Sequence, residues 1–298
     1  MKKRVSIIIP TYNRKDYLKV CLESIFKQNY PKSQYEIIII DDGSTDGTRD
    51  LVKQFKFKNN LRYFYQKNQG PAAARNLGIK KSRGALIAFT DADCFPDKNW
   101  LESLIKRYKA EDESIGAIGG SLPNSEPKNI LEKYLSLMNK NKQSHQNDPR
   151  PYFLTANILF PRKILEKVGY FDEHLFSGED ADICWRISEA GYRLVYEPNA
   201  VVFFKNRETI SKLMGQCFRD GRGWARLEKK YNIGDVKSRK ITFDNFKILV
   251  NLDKKFKDKR TSNISIIRRI IYYFITELFI FLGLIYEHYL VKNENLFN

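Results

Sequence analysis

At 298 residues with a hydrophobic share of 42 %, the chain can bury a substantial core, which excludes a disordered protein and leaves room for one large domain or a domain with an appendage. Its 52 basic and 35 acidic residues give a formal charge of +17, and the excess is uneven: residues 205–260 hold 17 basic against 7 acidic residues, directly before the most apolar segment of the chain. That placement favours an anionic membrane surface over a nucleic-acid groove, and no nucleic-acid partner is expected.

The N-terminal MKKRVSIII carries too short an apolar run for an export signal and reads as a first strand. Val5 to Ile9 is continuously apolar and β-branched, as in a parallel strand buried on both faces, and Pro10 is expected to end it. Leu18, Cys21, Leu22, Ile25 and Phe26 then recur at helical spacing over residues 15–28. A second strand, Glu36 to Ile40, runs into DDGSTDGT, where Ser44 or Asp46 can cap a helix reaching about residue 58. A third strand, Leu61 to Tyr65, leads to a helix with Pro71 at its first position. The fourth strand, Ala85 to Phe89, ends in Asp91 and Asp93.

Strand and helix thus alternate four times, which predicts a mostly parallel, doubly wound sheet that binds its ligand at the carboxyl ends of the strands. Polar residues gather at those ends: Thr11, Tyr12, Asn13 and Arg14 after the first, Asp41 and Asp42 after the second, Asp91 and Asp93 after the fourth. The first turn, Pro10-Thr11-Tyr12-Asn13, has no glycine, which argues against a dinucleotide-binding fold, and no phosphate-binding P-loop is present. In an extended segment, residues two apart point the same way, so Asp91 and Asp93 would stand side by side. At an effective dielectric near 20 their repulsion is on the order of a few kcal/mol, which a hard divalent cation relieves. A solvated Asp-x-Asp turn is the alternative.

Taken together, VSIIIPTYNR at 5–14, IIIIDDGSTDGT at 37–48, GPAAARNLGI at 70–79, DAD at 91–93 and GEDADICWRISEAGYRL at 178–194 make the chain resemble the family 2 glycosyltransferases of the nucleotide-sugar-binding type A fold. The resemblance implies that Pro10, Thr11, Tyr12 and Arg14 line the nucleotide pocket. It implies that Asp42 accepts a hydrogen bond from the base, which favours a UDP-sugar, and that Arg75 and Asn76 lie near the diphosphate or sugar. For Asp42 the competing reading is a turn residue capping the next helix, and for Arg75 a helix-surface arginine. Asp93 would bind Mg2+ or Mn2+ directly, with Asp91 on the ribose or on the metal through water. The cation would offset the charge that grows on the departing diphosphate.

Residues 97–110 read as a helix and 115–121 as a strand, and 122–150 as a helix flanked by loops, the region where the acceptor is fitted. Phe153 to Phe176 leads to Glu179 and Asp180, which open a helix through Trp185 and Arg186. Acidic residues are common in a first helical turn. In the family context Asp180 becomes the general base that takes the acceptor hydroxyl proton, with Glu179 and Asp182 as competing choices, and attack opposite the diphosphate inverts the anomeric centre. Many relatives carry a histidine ligand near the strand that here reads VVFFKNRET, yet no histidine lies between His174 and His288. QCFRDGRGW, from Gln216, is similar to the Q-x-x-R-W element of processive enzymes, with Asp220 in place of the tryptophan, so one sugar per event is expected. Arg219 and Arg222 approach the diphosphate in this reading, or form a basic helix face.

The expected organisation is a catalytic domain over 1–210, divided into a nucleotide-sugar half (1–96) and an acceptor half (97–210), and a basic and apolar helical extension over 211–298. The basic run 254–260 precedes an apolar segment, 264–291, that contains Glu277 and Gly283. Contact of 254–291 with an anionic membrane is expected, with a tilted span, or packing on the protein or in a homo-oligomer, as alternatives. The function expected is transfer of a sugar from a nucleotide diphosphate to a hydroxyl of a lipid-linked or cell-surface glycan precursor, at the cytoplasmic face of the membrane. The rivals are a nucleotidyltransferase of related fold and a non-catalytic basic module. Cys21, Cys94, Cys184 and Cys217, without metal-ligand spacing, are expected as buried thiols of a reduced protein.

Overall fold

A computed structural model of the chain describes residues 5–55, 60–138, 150–233 and 266–294, with the side chains of α-helical residues 271–290 described in the last segment. The chain divides into two compact units, residues 1–125 with 139–205, and residues 126–138 with 206–298.

The first unit opens with the strand and helix alternation expected. Strand β1 (Val5–Thr11) pairs in parallel with β2 (Tyr35–Asp41), and β2 with β3 (Leu61–Tyr65). β1 also pairs in parallel with β4 (Leu86–Phe89). β1 does not end at Pro10 but continues to Thr11. Its ladder to β4 stops at Ile8 and Phe89, and a residue without an N–H is tolerated where one flank is unpaired. The connecting helices are α1 (Lys15–Phe26), α2 (Thr48–Gln54) and α3 (Pro71–Lys81), with Pro71 at the first helical position. α2 ends before residue 55, short of the expected 58, and residues 56–59 lie outside the described residues. Asp46, not Ser44, serves its first turn, accepting the Thr48 N–H at 3.1 Å and the Thr48 hydroxyl at 2.6 Å.

The remaining elements are β5 (Cys94–Pro96), α4 (Trp100–Ala110), β6 (Ile115–Ser121), β7 (Ile158–Pro161), α6 (Arg162–Val168), α7 (Glu179–Glu189) and β8 (Arg193–Phe204). The eight strands form one sheet in the order β3-β2-β1-β4-β7-β6-β8-β5. It is mixed beyond β4: β7 runs antiparallel to both β4 and β6, and β5 antiparallel to β8. The unbroken apolar runs follow from burial on both faces. Ile7 and Ile9 pack with Leu18 and Leu22 of α1 and Leu101 of α4, whereas Ile8 packs with Ile79 of α3 and Ile183 of α7.

The second unit is helical where described. It contains α5 (Ile130–Met138), α8 (Ile210–Tyr231) and α9 (Ile266–Glu294). The two units divide between Lys205 and Asn206, and α5 groups with the second. Its Leu131, Tyr134 and Leu135 form one apolar cluster with Leu213 and Cys217 of α8, which is where its amphipathic face finds cover. Thr209 caps α8 by accepting the Lys212 N–H. α8 and α9 meet backbone to backbone: a side chain at Gly221 would overlap the Ile280 carbonyl, and one at Gly283 the Phe218 carbonyl. The basic run 254–260 lies outside the described residues.

Candidate active site

The loops after β1 and β2 are tied to one another. Asn13, in the left-handed region at φ 50°, donates its N–H to the Ser44 hydroxyl at 2.9 Å and accepts the Thr45 N–H at 2.8 Å. Lys15 donates its N–H to Asp46 at 2.9 Å. This pins the ends of two strands side by side. Thr11 is buried there with its hydroxyl unpartnered, Tyr12 beside it is half exposed, and the Arg14 guanidinium lies 5.7 Å from the Tyr17 ring centre. Pro10 sits in the strand just below them.

Asp42 is buried and already committed. Its Oδ1 accepts from the Gln66 amide at 2.6 Å and the Gln69 N–H at 2.9 Å, and its Oδ2 from the Gly70 N–H at 2.9 Å. A carboxylate takes about four hydrogen bonds, so a base would find about one site left. Asp42 therefore shapes the loop that enters α3. The expected alternative, capping of α2, is not what it does.

Asp91 and Asp93 do not stand on an extended segment as expected. They form a turn between β4 and β5, closed by the Cys94 N–H donating to the Asp91 carbonyl at 3.1 Å. The turn nevertheless gathers ligand atoms of Asp91, Asp93 and Cys94 within 4.8 Å of one another. Burial pushes the Cys94 thiol well above its usual range, with Asp93 and Asp91 adding to the shift, so it is held protonated. The hard oxygen donors are thus the two carboxylates, a set that fits Mg2+ or Mn2+.

Arg75 is not a surface arginine. It is buried on α3, with Nη2 at 3.0 Å from Asp91 and Nη1 at 2.6 Å from Glu179. One cation thereby joins the turn after β4 to the first residue of α7. Burial alone would lower its pKa, but Asp91, Asp180 and Glu179 outweigh that and raise it. Burial raises the Asp91 pKa, and Arg75 opposes the rise. Asn76, its neighbour, faces elsewhere. It donates to the Phe171 carbonyl at 2.9 Å and to Glu173 at 2.8 Å, and accepts the Phe171 N–H at 3.0 Å. Its side chain is spent on the 171–173 loop.

Gly178, at φ 86°, turns the chain into α7, so that Glu179 and Asp180 begin the helix. Glu179 is buried against Arg75. Asp180 accepts the Thr155 N–H at 3.2 Å through Oδ2, while its Oδ1 is buried without a partner. Burial, together with the neighbouring Glu179, holds the Asp180 pKa up at about 6, with Arg75 opposing. Asp182 is fully buried and bound by Arg186 at 2.8 Å, and that guanidinium also holds the carbonyls of Val168, Gly169 and Tyr170. Of the three acidic residues, Asp180 alone has a fully buried carboxylate oxygen with no hydrogen-bond partner. Thr155, which positions it, is marked in sequence only as a Thr beside an Ala and an Asn inside the apolar run FLTANILF. Arg219 and Arg222 stand on α8 in the second unit. Arg219 is exposed, and Arg222 pairs with Glu287 at 2.7 Å.

The eight-stranded mixed sheet matches the type A fold of the glycosyltransferases. The chain belongs to glycosyl transferase family 2, whose model matches residues 6–169. It is 34 % identical over 223 residues to Glycosyltransferase AglE of Haloferax volcanii, covering 74 % of this chain and 72 % of that one. It is also 27 % identical over 230 residues to a dolichyl N-acetyl-alpha-D-glucosaminyl phosphate 3-beta-D-2,3-diacetamido-2,3-dideoxy-beta-D-glucuronosyltransferase of Methanococcus voltae, covering 73 % and 71 % of the two chains. Among solved structures, the mannosyltransferase PcManGT from Pyrobaculum calidifontis, in complex with GDP-Man and Mn2+, superposes with a TM-score of 0.64 at 19 % identity, over 96 % of this chain and 87 % of that one. S. aureus TarS 1–349 in complex with UDP-GlcNAc gives 0.57 at 17 % identity, over 97 % and 92 %. At those identities the likeness speaks to the fold.

Proposed function

We propose that the protein is a metal-dependent, inverting glycosyltransferase that moves one sugar at a time from a nucleotide diphosphate donor to a hydroxyl of a lipid-linked or cell-surface glycan precursor. The observation that carries this reading is the buried, unpartnered Oδ1 of Asp180, on a helix start joined through Arg75 to the Asp91 turn. Asp180 removes the acceptor hydroxyl proton as the acceptor oxygen bonds to the anomeric carbon. The bond from that carbon to the diphosphate oxygen breaks, and its electron pair leaves with the diphosphate. Thr155 holds the other Asp180 oxygen, so the free one keeps its aim. Asp93 and Asp91 would hold Mg2+ or Mn2+, which supplies stabilisation of the charge developing on the leaving group.

The donor strand ends suit a nucleotide: Tyr12 offers a half-exposed ring and Thr11 an unpartnered hydroxyl. A UDP-sugar is favoured, with GDP-sugars second, since structural neighbours carry each nucleotide. A lipid-linked acceptor is supported by the relative named for a dolichyl phosphate sugar. Asp220, where processive enzymes carry tryptophan, supports single addition.

Donor hydrolysis across a panel of nucleotide sugars, with Mn2+ or Mg2+, tests the assignment. Asp93→Ala should abolish metal stimulation, and Asp180→Asn should lower turnover by roughly 100-fold or more. Parental turnover in both variants would sink the roles given to these residues.

A further inference from the structure

Helix α9 is two-faced. One face is held by α8: Glu287, almost fully buried, receives Arg222 at 2.7 Å and Arg226 at 2.5 Å, and Gly221 and Gly283 bring the two backbones into contact. Tyr272 near its start packs on Tyr134 of α5, ring centres 5.2 Å apart. The opposite face carries Ile271, Phe274, Leu278, Leu282, Ile285 and Tyr289, at steps of three and four residues, each at least 40 % exposed. This stripe runs for roughly 27 Å at 1.5 Å per residue. An exposed apolar strip of that length marks an interaction surface.

We propose that this face of α9 lies in the plane of an anionic lipid surface, with α8 on its aqueous side, and that α9 does not cross the bilayer. By length and composition Ile271–Leu290 would suffice for a span. A span, however, requires lipid or apolar protein around the whole helix. Here α8 covers one face with six basic and two acidic residues in its 22, among them the two arginines that neutralise Glu287. Hydrocarbon would have to take those charges along with α9. An in-plane helix buries only its free stripe and leaves the ion pairs in water.

Charge selects lipid over a second copy of this chain. Helix α8, packed along α9, carries six basic and two acidic residues, and Arg268 and Arg269 stand in sequence immediately before the stripe. A second copy would bring the same excess against it, whereas an anionic headgroup layer is its complement. Tyr289, 67 % exposed, and Tyr286, with Arg222 at 5.0 Å from its ring centre, are amphipathic side chains of the kind that settle at the headgroup level. The inference rests on α8 and α9 alone and is independent of the transfer chemistry.

Flotation of the full chain with vesicles tests it. The parent should float with phosphatidylcholine vesicles containing phosphatidylglycerol, float poorly with phosphatidylcholine alone, and be released by alkaline carbonate. L278E/L282E should lower partitioning roughly tenfold or more while donor hydrolysis is retained, which shows that the variant folds. Carbonate-resistant retention would establish a span and overturn the proposal. So would equal binding of parent and variant, or a lipid-free dimer that L278E/L282E dissolves in a protein that ignores both vesicle types.

Discussion

Replacing Asp180 with asparagine should make the protein more stable at pH 8 while impairing it as a catalyst. In the unfolded chain this carboxyl titrates near its usual 3.8, whereas in the folded protein burial and Glu179 hold it at about 6. Between those values the native state binds more protons than the unfolded state, so stability falls as pH rises through the window and stays reduced above it. The difference is worth about 3 kcal/mol at 1.36 kcal/mol per pH unit, and about 2 kcal/mol once partial solvent screening is allowed for. Asp180→Asn removes the ionisation, and an amide oxygen can still accept the Thr155 N–H. Urea denaturation with chelator and without donor, at pH 4 and at pH 8, measures the effect. The variant should match the parent at pH 4 and exceed it by about 2 kcal/mol at pH 8. A gain of equal size at both pH values, or a loss at pH 8, would refute the argument that Asp180 is an ionised group held against its surroundings.

Arg75→Ala strands Glu179 in a buried position and frees Asp91, and should cost about 3–5 kcal/mol in urea unfolding. Arg75→Lys keeps the charge but cannot reach both carboxylates with a fork, so it should recover only part of that loss; parental stability in the alanine variant would remove the clamp. Gly283→Leu forces α8 and α9 apart at the Phe218 carbonyl and should cost about 1–3 kcal/mol or more, read as a lower melting temperature by far-ultraviolet circular dichroism. An unchanged melting temperature would mean that the two helices are not held at this contact.

Much of the first unit was legible in the chain itself. Strands β1 to β4 announce themselves because a strand buried on both faces must be apolar at every position, and Pro71 marks the start of α3 because its missing N–H costs nothing there. The acidic pairs 91/93 and 179/180 were legible as chemistry, since like charges so close in sequence call for a cation, a proton or a counter-charge. Their partners were not. Arg75 and Glu179 are separated by 104 positions, and nothing local to either predicts the other. For the same reason the bonds of Asp42 to the 66–70 loop and of Asn76 to Phe171 and Glu173 have no local signature in sequence. A polar side chain near a strand end has the same appearance in sequence whether its partner is a ligand or a distant loop.

The sequence by itself determined the family, the alternating elements of the first half and which residues carry charge into the strand ends, because these depend on composition and local periodicity. Only the tertiary structure decided which acidic residue keeps an oxygen open and which faces of the last helix are taken. Glu179, Asp180 and Asp182 are three carboxylates of one first helical turn, alike in sequence until Arg75 takes Glu179, Thr155 takes one oxygen of Asp180 and Arg186 takes Asp182. The apolar tail leaves a span open beside the expected surface helix until α8, packed along one side with its arginines on Glu287, leaves one face uncovered.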